Sequence, residues 1–208
     1  MVGASAGGVE ALSALFSDLP LEIPIAFFVV LHLPPQSQSK LPSILERTGR
    51  LPVEHPRDGQ KIAPGRVYVA PPDFHLIIGK GVLRLNQGPT EHFNRPAINP
   101  LFRSAAQVYG QRVVGVLLTG LRRDGVAGLK EIKRHGGLVI VQDPAESMFS
   151  DMPRNALAEV EVDYCLPVTK IRDLVTRLPD LPNMRMDGIP ASQISISTPA
   201  DARCKPSL

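Results

Sequence analysis

The chain has 208 residues, enough for one domain with a sizeable core. Hydrophobic residues make up 43% and charged residues 21%, a globular balance that excludes wholesale disorder. The net charge of +3 and the pI near 9.0 come with no arginine-lysine block interleaved with aromatics, so composition argues against nucleic acid and permits only weak attraction to acidic protein surfaces.

The chain opens on "MVGASAGG", a glycine-rich turn behind only two strand residues. "VEALSALFSDLP" then sets Val9, Leu12, Leu15 and Phe16 at helical spacing. "IPIAFFVVLHLPP" reads as a strand buried on both faces. Its apolar run, residues 25–31, is far too short to cross a membrane, and no export leader is expected ahead of the glycine-rich motif. "SQSKLPSILERTGR" predicts a helix ending at Gly49. "LPVEHP" and "GRVYVAPP" predict short strands, and "HLIIGKGVLRLNQ" a hairpin turning at Gly79-Lys80-Gly81. "NPLFRSAAQVYG" predicts a helix with Asn99 as its cap and Pro100 in its first turn. Strand "RVVGVLLTG", helix "GVAGLKEIKRHGG", strand "LVIVQD", helix "MPRNALAEV", strand "VDYCLP" and helix "VTKIRDLVTRLP" follow in alternation.

That alternation predicts an α/β protein with a doubly wound, mostly parallel sheet, helices on both faces and an antiparallel hairpin insertion. One domain is expected over residues 1–178, with a flexible tail over 179–208 where periodicity gives way to Pro, Ser and Asp. The first strand looks truncated: if it lies inside the sheet, its loss would expose the pairing edges of its neighbours, so either the start lies upstream or the sheet is damaged. Cys165 and Cys204 make no metal-ligand pattern and no disulfide framework; Cys165 reads as a buried thiol, and a reducing cytoplasm is the expected location.

In such folds, chemistry lies outside the carboxyl ends of the strands. Three polar residues fall there. Ser5, in Gly3-x-Ser5-x-Gly7, matches the spacing of a sharp strand-to-helix turn that presents a nucleophilic hydroxyl. The helix behind it offers unpaired N–H groups and a positive dipole end to an oxyanion. His32 closes the "AFFVVL" strand and is the expected base; Asp124, after "VVGVLLTG", would hold the other ring nitrogen. Each has a structural alternative: a helix cap for Ser5, a hydrogen-bonding strand end for His32, a turn former for Asp124. A phosphate cradle is also weighed, but "GASAGG" lacks both the dinucleotide fingerprint and the Gly-Lys-Ser/Thr of a P-loop.

The blocks "GASAGGVEAL", "VVLHLPP", "DGQKIAPGRVYVAPPDFHL", "NRPAINPLF", "VVGVLLTGLRRDGVAGL" and "VQDPAESMFSDMPRNAL" together resemble the CheB-type protein-glutamate methylesterases of bacterial chemotaxis, over residues 2–178. The resemblance implies a parallel α/β fold and hydrolysis of methyl esters on glutamyl side chains of receptor signalling helices, with deamidation of selected glutamines. It carries the family's serine, histidine and aspartate onto Ser5, His32 and Asp124, and needs no metal or organic cofactor. Backbone N–H groups near Ala6 and Leu121 are the candidate oxyanion donors. Arg95, Arg122 and Arg123 are candidates for contacts with substrate carboxylates, each also readable as structural or solvated; His75 reads as structural, and His92 and Asn94 stay unassigned. The family's regulated members carry a receiver domain ahead of this one, so activity here is expected to be constitutive or set by a separate regulatory protein. A non-catalytic adaptor with an inherited pocket is the alternative function.

Overall fold

A computed structural model describes residues 1–33, 36 and 38–180. In chain order its elements are β1 (Val2–Ala4), α1 (Gly8–Phe16), β2 (Ala26–Leu31), α2 (Leu41–Thr48), β3 (Val53–Glu54), β4 (Arg66–Val69), β5 (His75–Ile78), β6 (Leu83–Asn86), α3 (Ile98–Tyr109), β7 (Val114–Leu117), α4 (Val126–Arg134), β8 (Leu138–Gln142), α5 (Asp151–Glu159), β9 (Tyr164–Leu166) and α6 (Val168–Arg177). Seven strands form one parallel sheet in the order β3-β4-β2-β1-β7-β8-β9, and β5 and β6 form a separate antiparallel pair. Leu178–Asp180 close the described chain in a 3₁₀ turn that buries Leu178, so the tail expected from residue 179 lies, from 181 on, outside the described residues.

Strand periodicity sorts the core. Along β2, Phe27, Val29 and Leu31 join one apolar cluster with residues of α1, α2 and α6; Phe28 and Val30 join a second with α3, α4 and α5. The helices therefore cover both faces, and each central strand is buried twice over. Phe16 meets Phe27 edge-on in the first cluster, and Phe28 stacks on Tyr68 in the second.

β1 is short yet central. Val2, Gly3 and Ala4 pair with Val29, Val30 and Leu31 on one side, and Val2 and Gly3 pair with Val116 and Leu117 on the other. Met1 extends the pairing, its amino group donating to the Val114 carbonyl at 2.7 Å and its carbonyl accepting from Val116 N–H at 2.8 Å. Below Met1, Ala26 and Phe27 of β2 keep β4 as a partner but have none in β1, and an apolar cleft of about 440 Å³ opens there beside Val113 and Val114.

Two local expectations are corrected. Asn99 does not cap α3. The cap position is Ala97, and Asn99 lies inside the first turn, where its Oδ1 accepts from Gly128 N–H at 2.8 Å and ties α3 to α4. Cys165 is half-buried, because β9 is an edge strand with a single neighbour.

Candidate active site

The sheet order reverses at β1: β2, β3 and β4 all lie on one flank of it, and the chain then crosses to the other flank with β7. That switch leaves a crevice at the carboxyl ends of β1 and β7. Ser5 follows β1, His32 follows β2, and Asp124 follows β7 in the loop of residues 118–125.

The Ser5 turn is fixed from both sides. Ser5 N–H donates to Thr119 O at 3.0 Å, and Ser5 O accepts from Gly8 N–H at 2.8 Å. Gly7 caps α1 in a left-handed conformation with φ +72°, where a side chain would be strained and its Cβ would come within 2.9 Å of Met148 Cβ. Gly120 permits the loop after β7 to pass against the serine: a Cβ there would lie 2.8 Å from Ser5 Cβ and 2.2 Å from Met152 Sδ.

Ser5, His32 and Asp124 are brought together. His32 Nδ1 lies 3.1 Å from Ser5 Oγ, and His32 Nε2 lies 2.8 Å from Asp124 Oδ2. The Asp124 side chain is 1% exposed and the His32 side chain 9%. Burial acts to raise the Asp124 pKa, but the hydrogen bond from His32, the charge of His32 and the N–H groups of Ile98 and Asn99 together hold it below the ordinary carboxylate value. Asp124 is therefore ionised and purely an acceptor. It takes Ile98 N–H at 2.7 Å and Asn99 N–H at 3.3 Å, which makes it the cap of α3, and Gly125 N–H at 2.8 Å. Facing an acceptor, His32 Nε2 must carry its proton, which leaves the Nδ1 lone pair turned to the serine hydroxyl. The ring is thus reversed relative to the chymotrypsin-type triad, in which Nε2 faces the serine.

The other candidates divide. Among the described residues, the N–H groups of Ala6 and Leu121 have no hydrogen-bond acceptor, and Leu121 directly follows the glycine that abuts Ser5. Arg95 is committed within the protein: it donates to Asp73 at 2.6 and 2.9 Å and to the carbonyls of Gln87 and Gly88 at 3.1 and 2.8 Å. Arg123 pairs with Glu159, which Lys130 also holds at 2.8 Å. Arg122 has no such pairing; its guanidinium lies 5.3 Å from the centre of the Phe93 ring. His75 is buried and satisfied, receiving Ala97 N–H on Nδ1 at 3.2 Å and lying 2.9 Å from the Pro89 carbonyl through Nε2. Asn94 donates to the His92 carbonyl at 2.7 Å within its own turn.

Sequence reasoning passed over Thr119. It is 1% exposed, and its Oγ1 lies 3.0 Å from Ala6 O and 3.2 Å from Phe149 O while accepting Phe149 N–H at 2.9 Å. Its own N–H donates to Gln142 Oε1 at 2.8 Å. One side chain thus joins the serine turn, the end of β7 and the segment leading to α5. The only signal was a hydroxyl at a strand end, indistinguishable in sequence from a β-branched strand residue.

Among the described residues no group of His, Cys, Asp and Glu is placed to hold a metal ion, and no helix is long and apolar enough to cross a membrane.

A parallel α/β sheet that presents a serine, a histidine and a buried aspartate in hydrogen-bonded series at its carboxyl edge has the layout of a serine hydrolase. Residues 1–175 match the family model described as CheB methylesterase, and the chain belongs to that family. A relative from Leptospira interrogans is 38% identical over 179 residues, covering 86% of this chain and 93% of the relative. The protein-glutamate methylesterase/protein-glutamine glutaminase 2 of Anaeromyxobacter dehalogenans is 43% identical over 171 residues, covering 82% of this chain and 50% of that protein. The corresponding enzyme of Pyrococcus abyssi is 37% identical, covering 85% of this chain and 49% of its own length, so against these two the chain spans about half a protein. The crystal structure of the Thermotoga maritima CheB methylesterase catalytic domain superposes with a TM-score of 0.81 at 34% identity, covering 85% of this chain and 96% of that one.

Proposed function

We propose that the chain removes methyl esters from glutamyl side chains of proteins through a Ser5-His32-Asp124 triad. The observation that carries the reading is the continuous hydrogen-bonded series from Ser5 Oγ through both nitrogens of His32 to a carboxylate held ionised. The names of the relatives support the substrate. Ser5 Oγ attacks the ester carbonyl while His32 Nδ1 takes its proton, and Asp124 stabilises the imidazolium. The imidazolium returns the proton to the methoxy oxygen and methanol leaves, giving a glutamyl ester of Ser5. Water then attacks, again losing its proton to Nδ1; the glutamate carboxylate departs and Ser5 regains its hydrogen. A glutamine enters the same acyl-enzyme by losing ammonia. The N–H groups of Ala6 and Leu121 are the proposed oxyanion donors, each worth about 100- to 1000-fold in turnover. The protein substrate is assigned to methylated receptor signalling helices, met in the cytoplasm.

The test is methanol release from methylated receptor. The native protein is expected to release it, and Ser5→Ala to abolish both release and labelling by a phosphonylating probe. Labelling of Ser5→Ala equal to that of the native protein would remove the nucleophile. A phenotype left intact by Ser5→Ala would favour the adaptor reading instead.

A further inference from the structure

Phe93 is 87% exposed, the most exposed large apolar side chain among the described residues. It also sits at φ +66°, directly after His92 at φ +49°, in a left-handed conformation that bulky residues rarely adopt. Neither burial nor backbone preference accounts for a phenylalanine there, so its placement has another cause. The turn that carries it is tied down by hydrogen bonds. Glu91 and Asn94 exchange backbone hydrogen bonds at 3.1 and 2.9 Å, and Glu91 is clamped to α3 by the guanidinium of Arg103, one bond of which measures 3.0 Å.

Against Phe93 stands Arg122, itself at φ +70°, with its carbonyl fixed by Asn155 Nδ2 at 2.7 Å. Among the described residues no carboxylate pairs with its guanidinium, although the neighbouring Arg123 and Lys130 both pair with Glu159. The guanidinium instead rests near the Phe93 ring, which orders a cation without discharging it. The two partners belong to the two loops that hold Asp124: Phe93 lies on the approach to the Ile98 N–H that Asp124 accepts, and Arg122 lies two residues before Asp124. Leu121, 45% exposed, follows the glycine that abuts Ser5, and Met148, 63% exposed, lies against Gly7 of the serine turn. Of the five large apolar side chains exposed among the described residues, three thus sit on or against the segments that carry Ser5 and hold Asp124. Such a patch marks a surface that meets a partner.

We propose that Phe93 and Arg122 form the substrate-reading rim of the site: Arg122 takes a carboxylate of the substrate polypeptide close to the reacting glutamyl ester, while Phe93, Leu121 and Met148 cover the aliphatic part of that segment. The inference rests on the esterase reading for what lies in the cleft, but its occupant is fixed by chemistry on the rim. An unpaired, pre-ordered cation among apolar side chains fits an acidic polypeptide, and disfavours a basic or uncharged one.

The test separates this inference from the esterase reading by using binding instead of turnover. In Ser5→Ala protein, fluorescence anisotropy is measured with a labelled peptide bearing one glutamyl methyl ester flanked by glutamates, and with the same peptide in which glutamines replace those glutamates. The acidic peptide is expected to bind about three- to fivefold more tightly at low salt, and Arg122→Gln to erase that preference. Phe93→Ala is expected to weaken both peptides and to reduce the preference, because it removes the apolar cover and the seat of the guanidinium. Both side chains are exposed, so melting temperatures should stay within about 2 °C of the parent and a folding defect would be visible. Equal binding of the two peptides by the Ser5→Ala protein, or a preference that survives Arg122→Gln, overturns the proposal. Absence of methanol release by the Ser5 protein would count against the esterase reading alone.

Discussion

Asp124 accepts four hydrogen bonds, three from backbone N–H groups and one from His32, so one carboxylate both orients the imidazole and caps α3. Asp124→Asn would set an amide against donors on every side and reverse the imidazole tautomer, and turnover is expected to fall by roughly 10⁴-fold. The same carboxyl predicts a pH dependence of stability. Its folded-state pKa is depressed below the ordinary value of 3.8, so the stability it contributes is complete above that value and is lost as pH falls through the folded one. Urea titrations between about pH 6 and pH 3 should show the native protein losing stability below about pH 4, with that component missing from Asp124→Asn. Equal acid slopes in the two proteins would contradict the assignment. Thr119 poses a different question, since its hydrogen bonds go to Ala6, Phe149, Gln142 and Ser5 and not to His32 or Asp124. Thr119→Val keeps the shape but leaves Ala6 O and Phe149 N–H without the hydroxyl, and it should lower kcat by about tenfold or more with KM nearly unchanged. Thr119→Ser should restore most of the loss. A purely structural Thr119 would instead lower stability and leave kcat intact.

At the level of elements, α3 is the pivot between the core and the site. Its first N–H groups end on Asp124, and its Asn99 side chain holds the start of α4 through Gly128 N–H. Asn99→Ala would leave that buried donor unsatisfied at a cost of about 1–3 kcal/mol, seen as a lower urea midpoint. Methanol release at low temperature should then stay within about twofold of native, because Asp124 keeps its own bonds. A large fall in turnover without a fall in stability would place Asn99 in the chemistry. These long-range ties are what the amino-acid order conceals. Local pattern made the strands and helices legible, since the unbroken apolar run in "AFFVVL" and 3.6-residue spacing in "VEALSALF" are properties of neighbours in the chain. Ser5, His32 and Asp124 were legible because strand ends share one edge of a parallel sheet whatever the loops do. The cap of α3 by Asp124, the Thr119 junction and the Phe93–Arg122 contact each join segments more than twenty residues apart. No local pattern encodes them. Asn99 looked like a cap because its type favours that role, but the cap position falls on Ala97 and the acceptor comes from Asp124 on another loop.

Across the whole molecule, the site and the two core clusters cannot come apart independently. Ser5, His32 and Thr119 follow β1, β2 and β7, which are hydrogen-bonded neighbours at the centre of the sheet. Alternate residues of β2 feed opposite clusters, so loosening either helical layer exposes the same strand that delivers His32. A structure coupled in this way is expected to unfold in one step. Three probes then sample three parts of it: far-UV circular dichroism the helices of both layers, tyrosine fluorescence in a Tyr164→Phe background the second cluster through Tyr68 and Tyr109, and phosphonate labelling of Ser5 the crevice. Their urea midpoints should coincide within about 0.2 M. Labelling lost well before the helical signal would mean that the loops around Asp124 open while the sheet stands, and the site would then be a separately stabilised layer on the fold. Fluorescence changing ahead of circular dichroism would divide the two clusters instead, against the shared-strand argument. Coincidence predicts a practical consequence as well: core substitutions at the opposite end of the sheet, such as Val175→Ala beside Met1 and Ala26, should abolish labelling at the same denaturant activity at which they unfold the chain, and not before.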